Sequence, residues 1–152
     1  MNQGTRNAAL KRLNAFIGEW RMELGLSSPS PMAERARSVF ARELDGQFLV
    51  QRSEVPNRKA PNSIAIIAYD PDLKAYRQHY FDSRGVVRLY AMAFDGSVWT
   101  LLRNAPDFTP LDFSQRFTGR FSDDGNTIRG TWETSSDGST WVRDFDLTYS
   151  RV

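Results

Sequence analysis

The sequence predicts an all-β protein, an up-and-down antiparallel β-barrel of about ten strands behind a short N-terminal helix. Three observations lead there. From residue 18 onward apolar and polar residues alternate with a period of two, which puts one face of each strand in a core and the other in water. The connections between these runs are too short to hold the crossover helices that a parallel sheet requires. The turns also sort into two kinds by their order along the chain, as the two ends of a barrel would.

The opening helix is read from "NAALKRLNAFIGEW", where Leu10, Leu13 and Phe16 or Ile17 recur at helical spacing and Gly18 supplies the stop. The strands then follow at 18–24, 34–43, 47–55, 62–69, 75–82, 85–94, 97–104, 113–122, 126–134 and 140–151. The first sets Trp20, Met22 and Leu24 against Glu19, Arg21 and Glu23. The ninth sets Ile128, Gly130 and Trp132 against Arg129, Thr131 and Glu133. After strands two, four, six and eight come "LDGQ", "YDPDLKA", "FDGS" and "SDDGN", short turns rich in Asp-Gly, the hairpin signal. After strands one, three and seven come "GLSSPSPM", "PNRKAP" and "NAPDFTPLD", which hold every proline except Pro71. Odd and even connections of a meander lie at opposite ends, so the expected barrel has one tight floor and one loop-decorated mouth. A two-sheet sandwich shares the alternation and is the alternative architecture.

At 152 residues the chain is sized for one domain, 1–152, with a core of its own. Its formal charge is only +2, and its 20 basic and 18 acidic residues are interspersed, so no basic stripe suggests nucleic acid. The absence of cysteine removes disulfides, thiolate catalysis and Cys-based metal sites. With one histidine and no inward acidic cluster, neither a metal nor a cofactor is expected. No run is long and apolar enough to be a signal peptide or a membrane span, so the expectation is a soluble, cytoplasmic protein.

"FIGEW", a short helix opening into the first strand, resembles the Gly-x-Trp signature of the calycin superfamily, the lipocalins and fatty-acid-binding proteins. The resemblance implies that Trp20 packs at the closed floor with an arginine from a late strand across it, and Arg151 is placed to do so. "ELDGQFLVQR", "IIAYDPDLKAYRQHYFDSRG" and "GTWETSSDG" look like an uncharacterised bacterial domain family of this lipocalin-like type, which brings no established activity. Two familiar features do not transfer. The carboxylate clamp of fatty-acid-binding proteins is Arg-x-Tyr, whereas this chain reads Tyr149-Ser150-Arg151; and haem-binding members use a late histidine, whereas His79 lies in strand five.

The stretch "HYFDS" contains His79, Asp82 and Ser83, the residue types of a nucleophile triad. On one strand His79 and Asp82 point to opposite faces, and Asp82-Ser83-Arg84-Gly85 reads as a turn, with Asp82 accepting backbone N–H groups and Gly85 taking positive φ. His79 could orient a polar ligand or move a proton if its face is inward; neither face of strand five is cleanly apolar, so its direction stays open. Arg143 shares the parity of Trp141, Phe145, Leu147 and Tyr149, so it is expected to enter the upper cavity and to meet either an acidic ligand group or an internal carboxylate. Arg88 and Tyr90, together with Gln115, Trp132 and Trp141, complete the expected lining, and Arg116, Arg120, Arg129, Glu133, Asp144 and Asp146 form the outer charged row. Gly119 and Gly130, facing inward, permit either sharp coiling or room for a guest.

These observations lead to the expectation of a barrel that holds a small apolar or amphipathic molecule. Two alternatives use the same scaffold. One is an isomerase or hydrolase working through His79 or a buried acid; the other is a filled, self-associating module that forms a homodimer through its strand wall.

Overall fold

The fold is that of a computed structural model of the chain, which describes residues 3–25, 36–56 and 60–152. Helix α1 (Gln3–Arg12) tightens into a 3₁₀ turn over Leu13–Phe16. Among the described residues ten strands follow: β1 (Gly18–Gly25), β2 (Arg37–Glu43), β3 (Phe48–Glu54), β4 (Ser63–Asp70), β5 (Ala75–Asp82), β6 (Val87–Phe94), β7 (Val98–Arg103), β8 (Ser114–Phe121), β9 (Thr127–Ser135) and β10 (Val142–Arg151). Each pairs antiparallel with the next, and β1 also pairs with β10, so the sheet closes as a barrel rather than opening into a sandwich. The expected start of strand two, at residue 34, lies outside the described residues, as does much of the first two long connections.

The tight hairpins at 44–47, 71–74, 95–97 and 122–126 share one end with α1. There the helix acts as a plug. Leu10 and Leu13 are buried, and Phe16 is driven into the barrel axis, its ring 4.8–5.3 Å from those of Phe40, Phe94, Trp99 and Phe121. The plug is held by hydrogen bonds as well as by packing. Arg42 donates to Asn14 Oδ1 and to the Leu10 carbonyl, Tyr76 donates to the Ala9 carbonyl, and Arg6 donates to Gln47 Oε1. Capturing helix carbonyls in this way satisfies groups that the end of a short helix leaves open.

The expected floor pair is present. Trp20 is fully buried, its indole N–H donates to the Phe16 carbonyl at 2.8 Å, and the Arg151 guanidinium lies 4.1 Å above its ring. Arg151 also donates to the carbonyls of Ile17 and Ala15, tying the last strand to the helix exit. Gly18, at φ +131°, lies so close that a Cβ there would sit 2.7 Å from Arg151 Nη1. The glycine of "FIGEW" therefore makes room for the arginine.

The inward glycines have a similar explanation. Gly119 and Gly130 are cross-strand partners, and a Cβ on Gly130 would come within 2.3 Å of the Phe117 ring. The space they free is filled by that ring rather than left for a guest, an aromatic covering glycines in a curved sheet.

Candidate functional site

A barrel of ten strands is wider than side chains alone readily fill. In this one the helix plug and aromatic cluster occupy the floor half, and a cavity of about 440 Å³ occupies the other. Strand position sets the level of each lining residue. Trp99 and Tyr149, close to the floor hairpins, form its base; Gln51, Gln78, Leu101 and Phe117 form its middle; Tyr80, Arg84, Arg88, Tyr90, Gln115, Trp132, Asp144 and Phe145 form its upper wall.

Of the expected lining, Arg88, Tyr90, Gln115 and Trp132 face this space together. Arg88 reaches from β6 to Thr109 Oγ1 at 2.8 Å and so holds the connection between β7 and β8. Tyr90 packs tilted against Trp132, with centroids 5.6 Å apart, and its hydroxyl donates to Gln115 Oε1 across a long 3.4 Å. Burial pushes the Tyr90 hydroxyl up to about 12 and that of Tyr149 likewise to about 12, so both remain neutral hydrogen-bonding groups.

Three expected residues stand elsewhere. Arg143 and Trp141 face outward, because β10 carries a bulge between Arg143 and Phe145 that reverses the parity of everything before it. Arg143 is opposite Glu133, its side chain 65% exposed, and it pairs with Asp146. Trp141 lies under the Arg116 guanidinium at 4.3 Å, and Arg116 in turn pairs with Glu133 at 2.8 Å, which is the outer charge pairing expected of that wall. The extra residue of the bulge, Asp144, leaves the outer row and joins the cavity rim. His79 also points outward, for β5 buries Tyr76 and Gln78 and exposes Arg77, His79 and Phe81. The enzyme reading built on His79 thus loses its group from the cavity.

The stretch after it folds as the sequence suggests. Asp82 Oδ1 accepts the Arg84 backbone N–H at 2.9 Å, and Gly85 takes φ +82°. The Asp82 side chain is fully buried, accepting also from Tyr80 Oη and from the Arg84 guanidinium. Burial alone would raise its pKa; the hydrogen bonds from Arg84 and Tyr80 outweigh it and hold the carboxyl below its ordinary value. Tyr80 is pushed up by burial first and by this carboxylate second.

An inward arginine does exist in the upper barrel, but it is Arg103. It is 2% exposed and forms a two-point pair with Asp107 at 2.7 and 2.9 Å, the carboxylate being 1% exposed. Asp107 also accepts N–H groups from Leu89 and Thr109, so the pair fixes the long connection onto β6. Parity with Trp99 and Leu101 was the available signal, since all three share one face of β7.

The residues that sequence reasoning passed over are the neutral polar ones in the middle of the wall. Gln51 donates to Ser38 Oγ at 2.8 Å and to Tyr149 Oη at 3.2 Å, and Ser38 meets Ser53 at 3.0 Å. Gln78, 4% exposed, has no partner for its carboxamide oxygen, and the Trp99 indole N–H likewise has none. Among the described residues no cluster of histidine or carboxylate side chains could hold a metal ion.

Fold and site together define a closed antiparallel barrel, plugged by a helix at one end, with an internal cavity of aromatic and neutral polar character. No known family's sequence profile matches the chain, and no curated protein does either.

Proposed function

We propose that the protein binds a small, largely apolar or amphipathic molecule inside the barrel, as members of the calycin superfamily that its Gly-x-Trp floor resembles do. The observation that carries this reading is the cavity of about 440 Å³. A well-packed interior holds few voids larger than a water molecule, and this space falls in the range typical of ligand sites. Aromatic walls give affinity, and the polar groups between them give orientation. Arg84 and Arg88 at the rim, rather than Arg143, are the cations closest to a guest.

Titration with N-phenyl-1-naphthylamine, which fluoresces on leaving water, tests the reading. Binding in the micromolar range is expected, weakened at least tenfold by Gln115→Trp, which fills the upper wall at a half-buried position. Absence of binding, or binding indifferent to that substitution, rejects it. Native mass spectrometry of gently purified protein would then identify the natural guest.

A further inference from the structure

We propose that the ligand is an uncharged planar heterocycle carrying an adjacent hydrogen-bond donor and acceptor, docked edge-on against the carboxamide of Gln78. The inference rests on the cavity being a binding site and names the chemistry of its occupant.

Gln78 is a polar side chain 96% removed from solvent, set in the cavity wall between Ile67 of β4 and Tyr90 of β6, with its oxygen unpartnered. Such a group is expensive to bury and is unusual in a folded protein. Its counterpart two strands away on β3 behaves differently, for Gln51 is engaged by Ser38 and Tyr149. A primary carboxamide offers C=O and N–H side by side and turns about its terminal bond to present them. Its complement is a lactam or an amino-substituted ring nitrogen, the two-point geometry by which glutamine reads an adenine edge. Tyr90 flanks it on β6, and Phe117 and Trp132 supply flat surfaces farther round the same cavity.

Charge at this depth is unfavourable. The cations lining the cavity, Arg84 and Arg88, stand at the rim and are engaged by Asp82 and Thr109. A carboxylate buried beside Gln78 would lack a counter-ion, whereas a neutral ring edge would be fully paired.

Three bicyclic probes of nearly equal size separate these chemistries: 2-quinolinone, whose lactam has donor and acceptor; coumarin, where ring oxygen replaces the N–H; and 2-naphthoate, an anion. They are titrated into ¹⁵N-labelled protein, with the side-chain amide signals of Gln78 assigned by their loss in Gln78→Met. The expected result is that 2-quinolinone binds at least fivefold more tightly than either of the others and shifts the Gln78 amide signals, while the indole signal of Trp20 stays in place. Gln78→Met should abolish the preference for 2-quinolinone over coumarin. It should also raise the Tm of the unliganded protein by about 3 °C, because an unpaired buried amide is removed. Equal or tighter binding of 2-naphthoate, a preference that survives Gln78→Met, a fall in Tm, or no binding by any of the three overturns the inference. Binding of N-phenyl-1-naphthylamine in those cases shows that the cavity still takes a guest of other chemistry.

Discussion

Gly18 shows how one missing side chain organises the floor. Its φ of +131° lies where residues with a Cβ are strained, and the space a Cβ would need is taken by Arg151. That arginine in turn covers Trp20 and bonds two carbonyls at the helix exit. Gly18→Ala is therefore expected to destabilise the protein by about 2 kcal/mol, read as a lower urea midpoint at unchanged slope. The Trp20–Arg151 pairing was expected from the resemblance of "FIGEW" to the Gly-x-Trp signature, with Arg151 on the strand that ends where the first begins. Gln78 was not visible. Its face of β5, Tyr76-Gln78-Tyr80-Asp82, is polar because it borders a cavity, so the usual contrast between a dry and a wet face is lost.

At the level of elements, the ten strands are legible as runs between turn signals, and β5 apart their faces follow a period of two. The one face placed the wrong way is in β10. A bulge adds one residue and inverts the parity on which Arg143 had been placed, and nothing in "TWVRDFDL" marks where the extra residue falls. Deleting Asp144 is expected to remove the bulge and restore strict alternation, with Arg143 still outward opposite Glu133 and next to inward Phe145. Because no side chain changes face, the deletion should cost less than about 1 kcal/mol, measured by chemical denaturation. A loss of about 3 kcal/mol or more would show that the strand slips in register and carries Arg143 inward instead. Arg103 illustrates the reverse case: its parity with Trp99 and Leu101 holds through β7 and turns it inward, where a carboxylate four residues on in a proline-bearing loop satisfies it.

For the molecule as a whole, a plugged half and a hollow half leave the upper barrel dependent on the Arg103–Asp107 pair to fix its longest described connection. Hydrogen bonds from Arg103 hold the Asp107 carboxyl well below its ordinary value. A carboxyl whose folded pKa is lowered adds stability that is complete above its unfolded pKa of about 4 and is lost as pH falls through the folded value. The wild-type protein should thus lose stability progressively below about pH 4. Asp107→Asn should already be destabilised by about 3 kcal/mol at pH 7 and show a shallower decline in acid, as thermal melts across that range would record.

The seam between β1 and β10 has a kinetic meaning. Closing it brings together the first and last strands of the barrel, and the Trp20–Arg151 clasp can form only when they meet. Topologies dominated by such distant pairings fold slowly, in milliseconds to seconds, because the entropy of closing the long loop is lost before the contacts form. Until the ends join, the first and last strands each expose a row of unpaired amides. Nascent chains are therefore most prone to stick to one another at that edge, a hazard that vanishes on closure.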